Sequence, residues 1–425
     1  PELIREAARL YATSKPACII DGNGVDMQLQ VFQITRAICL LRALTGNLDI
    51  EGGDFIPQPV PLRNIQCKNR LPGGVRPVTQ AYPLFNEFHE TWGLHAQSCL
   101  VDAILDETPY PIRMLVVKSG NPVVTMTDAN RVRQAFEKLD FLVVIDLFKN
   151  QTARYADVIL PASSCFEKTQ LNRAYMRNSP VILQNQVIDW LGDSRPDWKI
   201  LFDLGRRLGF VSEFPWLSAE EAIDYQLSPS GLTVAMLREN PDGLCATPLA
   251  FEKYRTQGFA TPSGKVEFFS DRLDKAGHLP VPFKDGDTAN PISFSDTMGP
   301  EALIGISGER SNRFTHTQFH NIPGLTQGEK EGTVDLHPED ARIRNITAGQ
   351  WLTLSSPRGV IHMKARISEA VHPGVVRIAW GWGEVDPQAN VNNLTDDDRR
   401  DPITGTPSNR TFMCRINLCT RASSG

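Results

Sequence analysis

The sequence has no pair of cysteines at C-x-x-C spacing. Its eight cysteines (Cys18, Cys39, Cys67, Cys99, Cys165, Cys245, Cys414 and Cys419) are scattered, which excludes a zinc knuckle or an iron–sulfur run in these residues and predicts reduced, mostly buried thiols. A basic excess is also missing. With 44 Lys and Arg against 49 Asp and Glu the formal net charge is -5, so there is no general surface for displacing counterions from nucleic acid. An anionic ligand would have to be met by local arginines. Long apolar runs are absent: the longest, such as 141–145, are strand-sized, and none has the length of a membrane span. Internal repeats and low-complexity tracts are lacking. So is an initiating methionine, because the chain opens at Pro1 inside a helical pattern (Ile4, Ala7, Ala8, Tyr11). A preceding N-terminal portion is therefore expected, and the lack of a leader carries no information.

What is present is a chain of 425 residues, 41% hydrophobic and 22% charged, which predicts a globular protein of two or three domains. A helix over 2–13 leads into "ACIIDGNG", predicted as a short strand broken at Gly22 and Gly24. A long helix is predicted near 27–45, with Leu29, Phe32, Ala37, Leu41 and Leu44 inward and Gly46 as its stop. Residues 55–108 hold many prolines and no periodicity, and are read as a long loop packed over a ligand.

Between 111 and 162 the pattern becomes strand, helix, strand, turn, strand. The strands around Met114–Lys118, "FLVVID" and "ADVILPA" are continuously apolar, and the intervening helix is read as capped by Thr127, with Val132, Phe136 and Leu139 on one side. Such strands predict a parallel sheet covered on both faces. A further helix, "PDWKILFDLGRRLG", presents Trp198, Leu201, Gly205 and Leu208 and stops at Gly209. Residues 211–300 are read as a connector. Beyond 301, "EALIGIS", "TVDLH", "WLTLSS", "VIHMKARI", "GVVRIAW" and "TFMCRIN" are six strand candidates, which predict a small barrel. Ile361, Met363, Ala365 and Ile367 alternate with Val360, His362, Lys364 and Arg366, and Pro357-Arg358-Gly359 is read as a three-residue hairpin loop with glycine in a left-handed position.

Ligands of parallel sheets bind at the carboxyl ends of the strands. Three candidate tips follow: Gly120-Asn121, where backbone can approach a ligand and an amide can donate and accept; Asp146, suited to two ribose hydroxyls; and Gln151-Thr152, an amide and a hydroxyl for a base or phosphate. Ordinary turn and capping chemistry is the competing reading of all three. A second constellation, "GISGERSNRFTHTQFHNIPG", packs Arg310, Arg313, His316, Thr317, Gln318 and His320 into eleven residues. Guanidiniums and hydroxyls at this density suit a pyrophosphate or a polar heterocycle. His316 and His320 lack the intervening acid and helix of an H-E-x-x-H zinc site. The third, residues 380–410, holds Trp380 and Trp382 as a wall for a flat ligand, the paired amides Asn392 and Asn393, and Arg410. Its "TDDDRRD" is read as a solvated charge cluster without EF-hand spacing.

Together these stretches resemble the molybdopterin oxidoreductase (dimethyl sulfoxide reductase) family. The resemblance rests on "LTGNLDIEGG", "VVKSGNPVVT", "VVIDLFKNQTARYADVILPA" with "FEK", "ATPSGKVEF", "DLHPEDARIRNITAGQWLTLSSPRG", "HPGVVRIAWGWGE" and "NVNNLTDDDRRDPITGTP". It implies the C-terminal half of a catalytic subunit: residues 1–109 as the closing part of a molybdopterin-binding α/β domain with loops, 110–215 as an α/β guanine-dinucleotide-binding half-domain, 216–300 as a connector, and 301–425 as a double-psi-like β-barrel. It also implies a molybdenum or tungsten ion held by two molybdopterin guanine dinucleotides. A [4Fe-4S] cluster and the metal's protein ligand would lie upstream. By that match Gly120, Asn121, Asp146 and Thr152 would hold a guanosine end. Arg310, Arg313, His316, Thr317 and Gln318 would line a pterin–pyrophosphate stretch, with Asn392, Asn393 and Arg410 opposite.

The sequence departs from the family after "FEK", where Gln170 stands in place of a glycine although Asn172 remains; Arg173, Tyr175 and Arg177 are then candidates to face substrate. The implied activity is two-electron redox of a small-molecule substrate, with an iron–sulfur subunit as electron partner and no nucleic acid or membrane insertion. A tungsten hydratase or transhydroxylase, and a cofactor-free structural relative, are the alternatives. No catalytic residue is assigned.

Overall fold

The computed structural model describes residues 2–67, 78–82, 84, 97–172, 180–282 and 292–419. Helix Glu2–Thr13 forms as its spacing predicts, and no residue of it is buried. The stretch after it is not a strand. Residues 17–22 run extended without a strand partner, held instead by the Asp54 carboxylate, which accepts from the Ile19 amide at 3.2 Å, and by Arg42, which donates to the Ile19 carbonyl at 2.9 Å. The long helix begins at Val31, not 27, because Gln30 takes a left-handed conformation at φ 63°. Val31 and Leu40 are its buried residues, Leu29 is buried just ahead of it, and Ala37 and Leu44 face out. Gly46, at φ +67°, ends it as expected. The expected long loop contains a helix, Gln97–Asp106, whose Val101 and Ile104 pack beneath the sheet.

The sheet is three-stranded and parallel, in the order β1 (Met114–Lys118), β2 (Phe141–Asp146), β3 (Val158–Pro161). Register is continuous, with Val117 opposite Val144 and Val144 opposite Ile159. Central β2 is buried at Leu142–Ile145, but Met114, Val116, Val158 and Ile159 on the edge strands remain exposed, so coverage of both faces holds only for the middle strand. Helix Ala129–Lys138 is capped by Asp128, whose carboxylate accepts from the Arg131 amide, and not by Thr127. Asp128 sits at φ 50°, which turns its side chain onto the first helical turn. In helix Asp197–Arg207, Phe202 and Gly205 are the buried pair, and Leu201 and Leu208 are exposed. A Cβ on Gly205 would stand 2.6 Å from the Phe214 ring, so glycine here permits close packing. The stretch read as a connector carries helices Ala219–Leu227 and Val234–Glu239, which share a core with Val60, Val181 and Leu183; Leu183 belongs to β5 (Leu183–Gln184), which pairs antiparallel with β4 (Gln170–Leu171).

The six C-terminal strand candidates close into a barrel: β6 (Leu303–Glu309), β7 (Thr333–Leu336), β8 (Trp351–Ser356), β9 (Gly359–Ile367), β10 (Val375–Ala379) and β11 (Thr411–Leu418), in the order β10-β6-β11-β8-β9-β7. Two pairs, β10/β6 and β7/β9, are parallel and the other four antiparallel. Ile361, Met363 and Ala365 point inward with Leu352, Leu354, Ile378 and Phe412. Each fully buried side chain of this kind contributes roughly 1.5–3 kcal/mol. The β8–β9 loop has two residues, because Ser356 pairs with Gly359. Gly359 is not left-handed; a Cβ there would lie 2.8 Å from the Asn393 carbonyl. Glycine is required by what packs on the hairpin.

That packing joins barrel to sheet. Residues 396, 397 and 401 of "TDDDRRD" are buried, contrary to the expectation of a solvated cluster. Arg358 donates to Asp396 at 2.7 Å; Arg400 donates to Asp102 of helix Gln97–Asp106 and to Asp397; Arg131 donates to Asp102 at 2.7 Å. The Asp401 carboxylate caps the backbone amides of Ile403 and Thr404. Sequence composition cannot separate such a lock from surface charge, because the partners lie some 300 residues away.

Candidate functional site

The carboxyl ends of β1 and β2 meet the mouth of the barrel across a cleft of about 430 Å³. The sheet side offers Ser119–Asn121 and Asp146–Phe148; the barrel side offers Arg310, the loop 316–319, Trp380, Glu384 and the pair Asn409-Arg410. Of the twelve candidate residues, Gly120, Asn121, Asp146, Arg310, His316, Thr317, Gln318 and Arg410 line this cleft.

The other four do not. Thr152 is wholly buried beneath the tip, where its hydroxyl donates to Asn121 Oδ1 at 2.8 Å and accepts from the Val123 amide at 3.2 Å. Its part is to set the Asn121 rotamer. Asn392 donates to the Val124 carbonyl at 2.7 Å, and Asn393 accepts from Arg133 at 2.9 Å and donates to the Pro387 carbonyl at 3.1 Å. Both amides help fasten the barrel to the α/β domain, with oxygen and nitrogen each engaged within the protein. Arg313 turns to the Gln327 carbonyl at 2.6 Å and borders a neighbouring cleft together with Arg310 and Glu329. Arg173, Tyr175 and Arg177 lie outside the described residues.

The two walls differ in charge. On the sheet side the Asp146 carboxylate accepts from the Phe148 amide and from Asn150 Nδ2, each at 3.1 Å, and burial raises its pKa. Glu384, which the sequence reading missed, is the one barrel-side acid of the cleft and reaches over to the sheet tip, where it accepts from Asn121 Nδ2 at 2.6 Å and from the Gln151 amide at 3.1 Å. Burial raises its pKa as well, outweighing those hydrogen bonds. The only sequence signal for it was an acid directly after the tryptophan–glycine pair 382–383. Gln151 is not free to read a base, because its amide nitrogen donates to the Glu384 carbonyl at 2.8 Å.

The barrel side is cationic and incompletely paired. Arg410 is 7% exposed and stacks over Trp380, with the guanidinium carbon 4.9 Å from the ring centroid. Its Nε and Nη1, the Arg310 Nε, the Trp380 Nε1 and both amide atoms of Asn409 are buried without a hydrogen-bond partner. Neither arginine has a carboxylate partner among the described residues. Burial pushes the Arg410 pKa down to about 10, with the Arg310 charge adding to it, and burial also lowers Arg310. His316 is held below the usual imidazole range by burial and by both guanidiniums. Glycines make the room: a Cβ on Gly308 would stand 2.6 Å from Arg410 Nη1, and one on Gly381 would stand 2.4 Å from the His316 carbonyl. His320 is not a metal ligand here; it stacks on Phe314 at 4.1 Å, and no cluster of three or more His, Cys, Asp or Glu among the described residues suits a metal. Trp382 packs edge-on against these two rings and away from the cleft, so of the expected aromatic wall only Trp380 faces a ligand.

Unpartnered guanidiniums facing acids across a cleft define a site for an elongated ligand with an anionic segment and a hydroxyl- or N–H-bearing segment. A phosphate-bridged nucleotide cofactor has this form. Comparison with known families agrees. Residues 7–207 match the molybdopterin oxidoreductase family and residues 303–413 match the molydopterin dinucleotide binding domain. The chain belongs to the molybdopterin oxidoreductase family, whose characterised relatives are enzymes. It is 26% identical to acetylene hydratase of Syntrophotalea acetylenica over 96% of this chain and 61% of that protein. It is 28% identical to a formate dehydrogenase alpha subunit of Methanocaldococcus jannaschii over 93% and 58%. It is 24% identical to the thiosulfate reductase molybdopterin-containing subunit PhsA of Salmonella typhimurium over 90% and 54%. The solved structure of acetylene hydratase from Pelobacter acetylenicus superposes with a TM-score of 0.87 at 25% identity, covering 98% of this chain and 63% of that one. The chain thus spans about three-fifths of these relatives' length. Among the described residues no helix is long and apolar enough to cross a membrane.

Proposed function

We propose that this chain is the cofactor-gripping part of a molybdenum or tungsten bis(molybdopterin guanine dinucleotide) oxidoreductase. The observation that carries the reading is the pair Arg310 and Arg410, half-buried and buried respectively in the cleft, with unpartnered guanidinium nitrogens and no carboxylate partner among the described residues. A diphosphate supplies the missing acceptors, and Asp146 opposite accepts from ribose hydroxyls. Asn121 and Thr152 keep the sheet tip in shape, and the 390–401 lock holds the two walls at a fixed spacing. When bound, the metal–pterin group supplies the two-electron redox centre; this chain excludes water from it and fixes its orientation. The division into 1–109, 110–215, 216–300 and 301–425, the double-psi form of the barrel, an upstream [4Fe-4S] cluster and an iron–sulfur electron-transfer subunit belong to the same proposal.

A second reading is a non-redox hydratase, favoured by the 26% identity to acetylene hydratase over 96% of the chain. A cofactor-free relative is disfavoured by Arg310 and Arg410, whereas Asn392, Asn393 and Arg313 do not bear on it, since the fold itself uses them. The test is to make the complete polypeptide in a host that synthesises the cofactor. Molybdenum or tungsten, pterin fluorescence and about two guanine nucleotides per chain on acid release are expected; none of the three would overturn the reading. Substrate-dependent reduction of a viologen then separates oxidoreductase from hydratase.

A further inference from the structure

Six buried asparagines stand around the cleft and its walls, and five of them are engaged through both oxygen and nitrogen. Asn121 accepts from Thr152 and donates to Glu384; Asn150 donates to Asp146 and accepts from the Ala153 amide; Asn390 donates to the Val123 carbonyl and accepts from the Asn392 amide; Asn392 and Asn393 are tied as described. Asn409 is the exception. It is 1% exposed, lines the cleft, and has neither a donor for its Oδ1 nor an acceptor for its Nδ2. Its backbone is fixed, because its carbonyl accepts from the Ser307 hydroxyl and the Ser307 amide donates to the Arg410 carbonyl at 3.0 Å. The side chain is therefore aimed, not loose. A buried amide with both functions unmet is costly in the free protein, so a ligand must satisfy both at once.

We infer that Asn409 is a specificity-determining residue that pairs with the adjacent ring N–H and C=O of a 2-amino-4-oxopyrimidine ring, its Oδ1 accepting from the ring N–H and its Nδ2 donating to the ring carbonyl. This rests on the cofactor reading above. Guanine and pterin both carry that edge, and a primary amide matches it with two parallel hydrogen bonds. The neighbouring Trp380 Nε1 is a further unpartnered donor in the same wall.

The test compares wild type with Asn409→Leu and Asn409→Ala, prepared without cofactor, by calorimetric binding of inorganic pyrophosphate, guanosine diphosphate, purine riboside diphosphate (which lacks the N–H/C=O edge) and 6-hydroxymethylpterin. Loss of two buried hydrogen bonds predicts roughly 10–100-fold weaker binding of the ring that Asn409 reads. Weakening of guanosine diphosphate, with purine riboside diphosphate unchanged, identifies guanine; weakening of the pterin alone identifies pterin. Pyrophosphate binding should stay within about twofold in both variants, since the arginines carry it. If both variants bind both ring probes as wild type does, or if wild type binds neither, the inference is overturned. If wild type fails only with pyrophosphate, the anion reading falls while the pterin arm still decides Asn409.

Discussion

Replacing Arg410 by methionine should make the cofactor-free protein more stable while removing its ability to keep cofactor. Burial depresses the Arg410 pKa to about 10, against an ordinary value of about 12.5, so holding the cation destabilises the free fold by roughly 3 kcal/mol. Below pH 10 that penalty is in full force, and it is relieved only as pH rises from there towards the unfolded value. Against it stands the contact of the guanidinium with Trp380 at 4.9 Å, worth roughly 0.5–2 kcal/mol. Methionine keeps an apolar stem against the ring, so the net gain is about 1–3 kcal/mol. Scanning calorimetry of the cofactor-free protein should show Arg410→Met melting a few degrees above wild type. In material from a cofactor-competent host the order should reverse, because wild type gains ligand stabilisation and the variant does not. A variant that melts lower when free and still releases guanine nucleotide on acid treatment would refute the reasoning.

Asp335 is fully buried between Arg366 and Arg377 on the barrel wall. Asp335→Asn should cost about 1–3 kcal/mol in denaturant unfolding, because a buried charged acceptor is lost while Glu309 still pairs with both arginines. Burial alone would raise the Asp335 and Asp102 pKa values, but hydrogen bonds from their arginines hold both below the usual range. Their stabilisation is therefore complete above about pH 4 and lost as pH falls through the depressed values; a melting temperature that stays flat from pH 5 to pH 2 would contradict this. Gly381→Ala places a Cβ 2.4 Å from the His316 carbonyl at φ +91°, so the loop must shift, and bound guanine nucleotide should fall at least tenfold with a barrel that still folds. Arg400→Met cuts the link to Asp102 and should raise the rate of limited proteolysis at the barrel–sheet junction more than it lowers the barrel's own melting point.

Elements with strong local periodicity were legible. Apolar strands β1–β3 and the alternating Ile361, Met363 and Ala365 announced a parallel sheet and a barrel, and both are present. Boundaries that depend on one backbone conformation were not. Gln30 and Asp128 are non-glycine residues at positive φ, and nothing in their side chains marks them. Of the residues read as a site, Arg310, His316, Thr317, Gln318 and Arg410 on the barrel side and Gly120, Asn121 and Asp146 on the sheet side do come together at one cleft. Thr152, Asn392 and Asn393 were misplaced because hydrogen-bonding capacity reads the same whether a ligand or a neighbouring strand consumes it. Glu384 and Asn409 were missed for the converse reason: their meaning comes from what they face.

The distribution of unmet polar atoms is the strongest physical statement the molecule makes about its purpose. In segment 390–401, Asn390, Asn392, Asn393 and Asp401 are buried with partners. A few residues on, Asn409 and Arg410 are buried to the same degree with four atoms unpartnered. One stretch of chain is thus held to two standards. The fold can satisfy buried polar groups here and does so wherever they join the domains, so the unsatisfied set in the cleft is not poor packing. It is a fixed arrangement of donors and one acceptor, the Asn409 Oδ1, whose stability cost, of order 1–3 kcal/mol for each group, is recovered only when a ligand with matching groups enters. Filling the arrangement from within, by an Asn409→Asp change that puts a carboxylate into the cleft shared with Arg310 and Arg410, should therefore stabilise the free protein and reduce guanine nucleotide content together; a stabilised variant that keeps full cofactor would mean the cleft's unpaired atoms have another purpose.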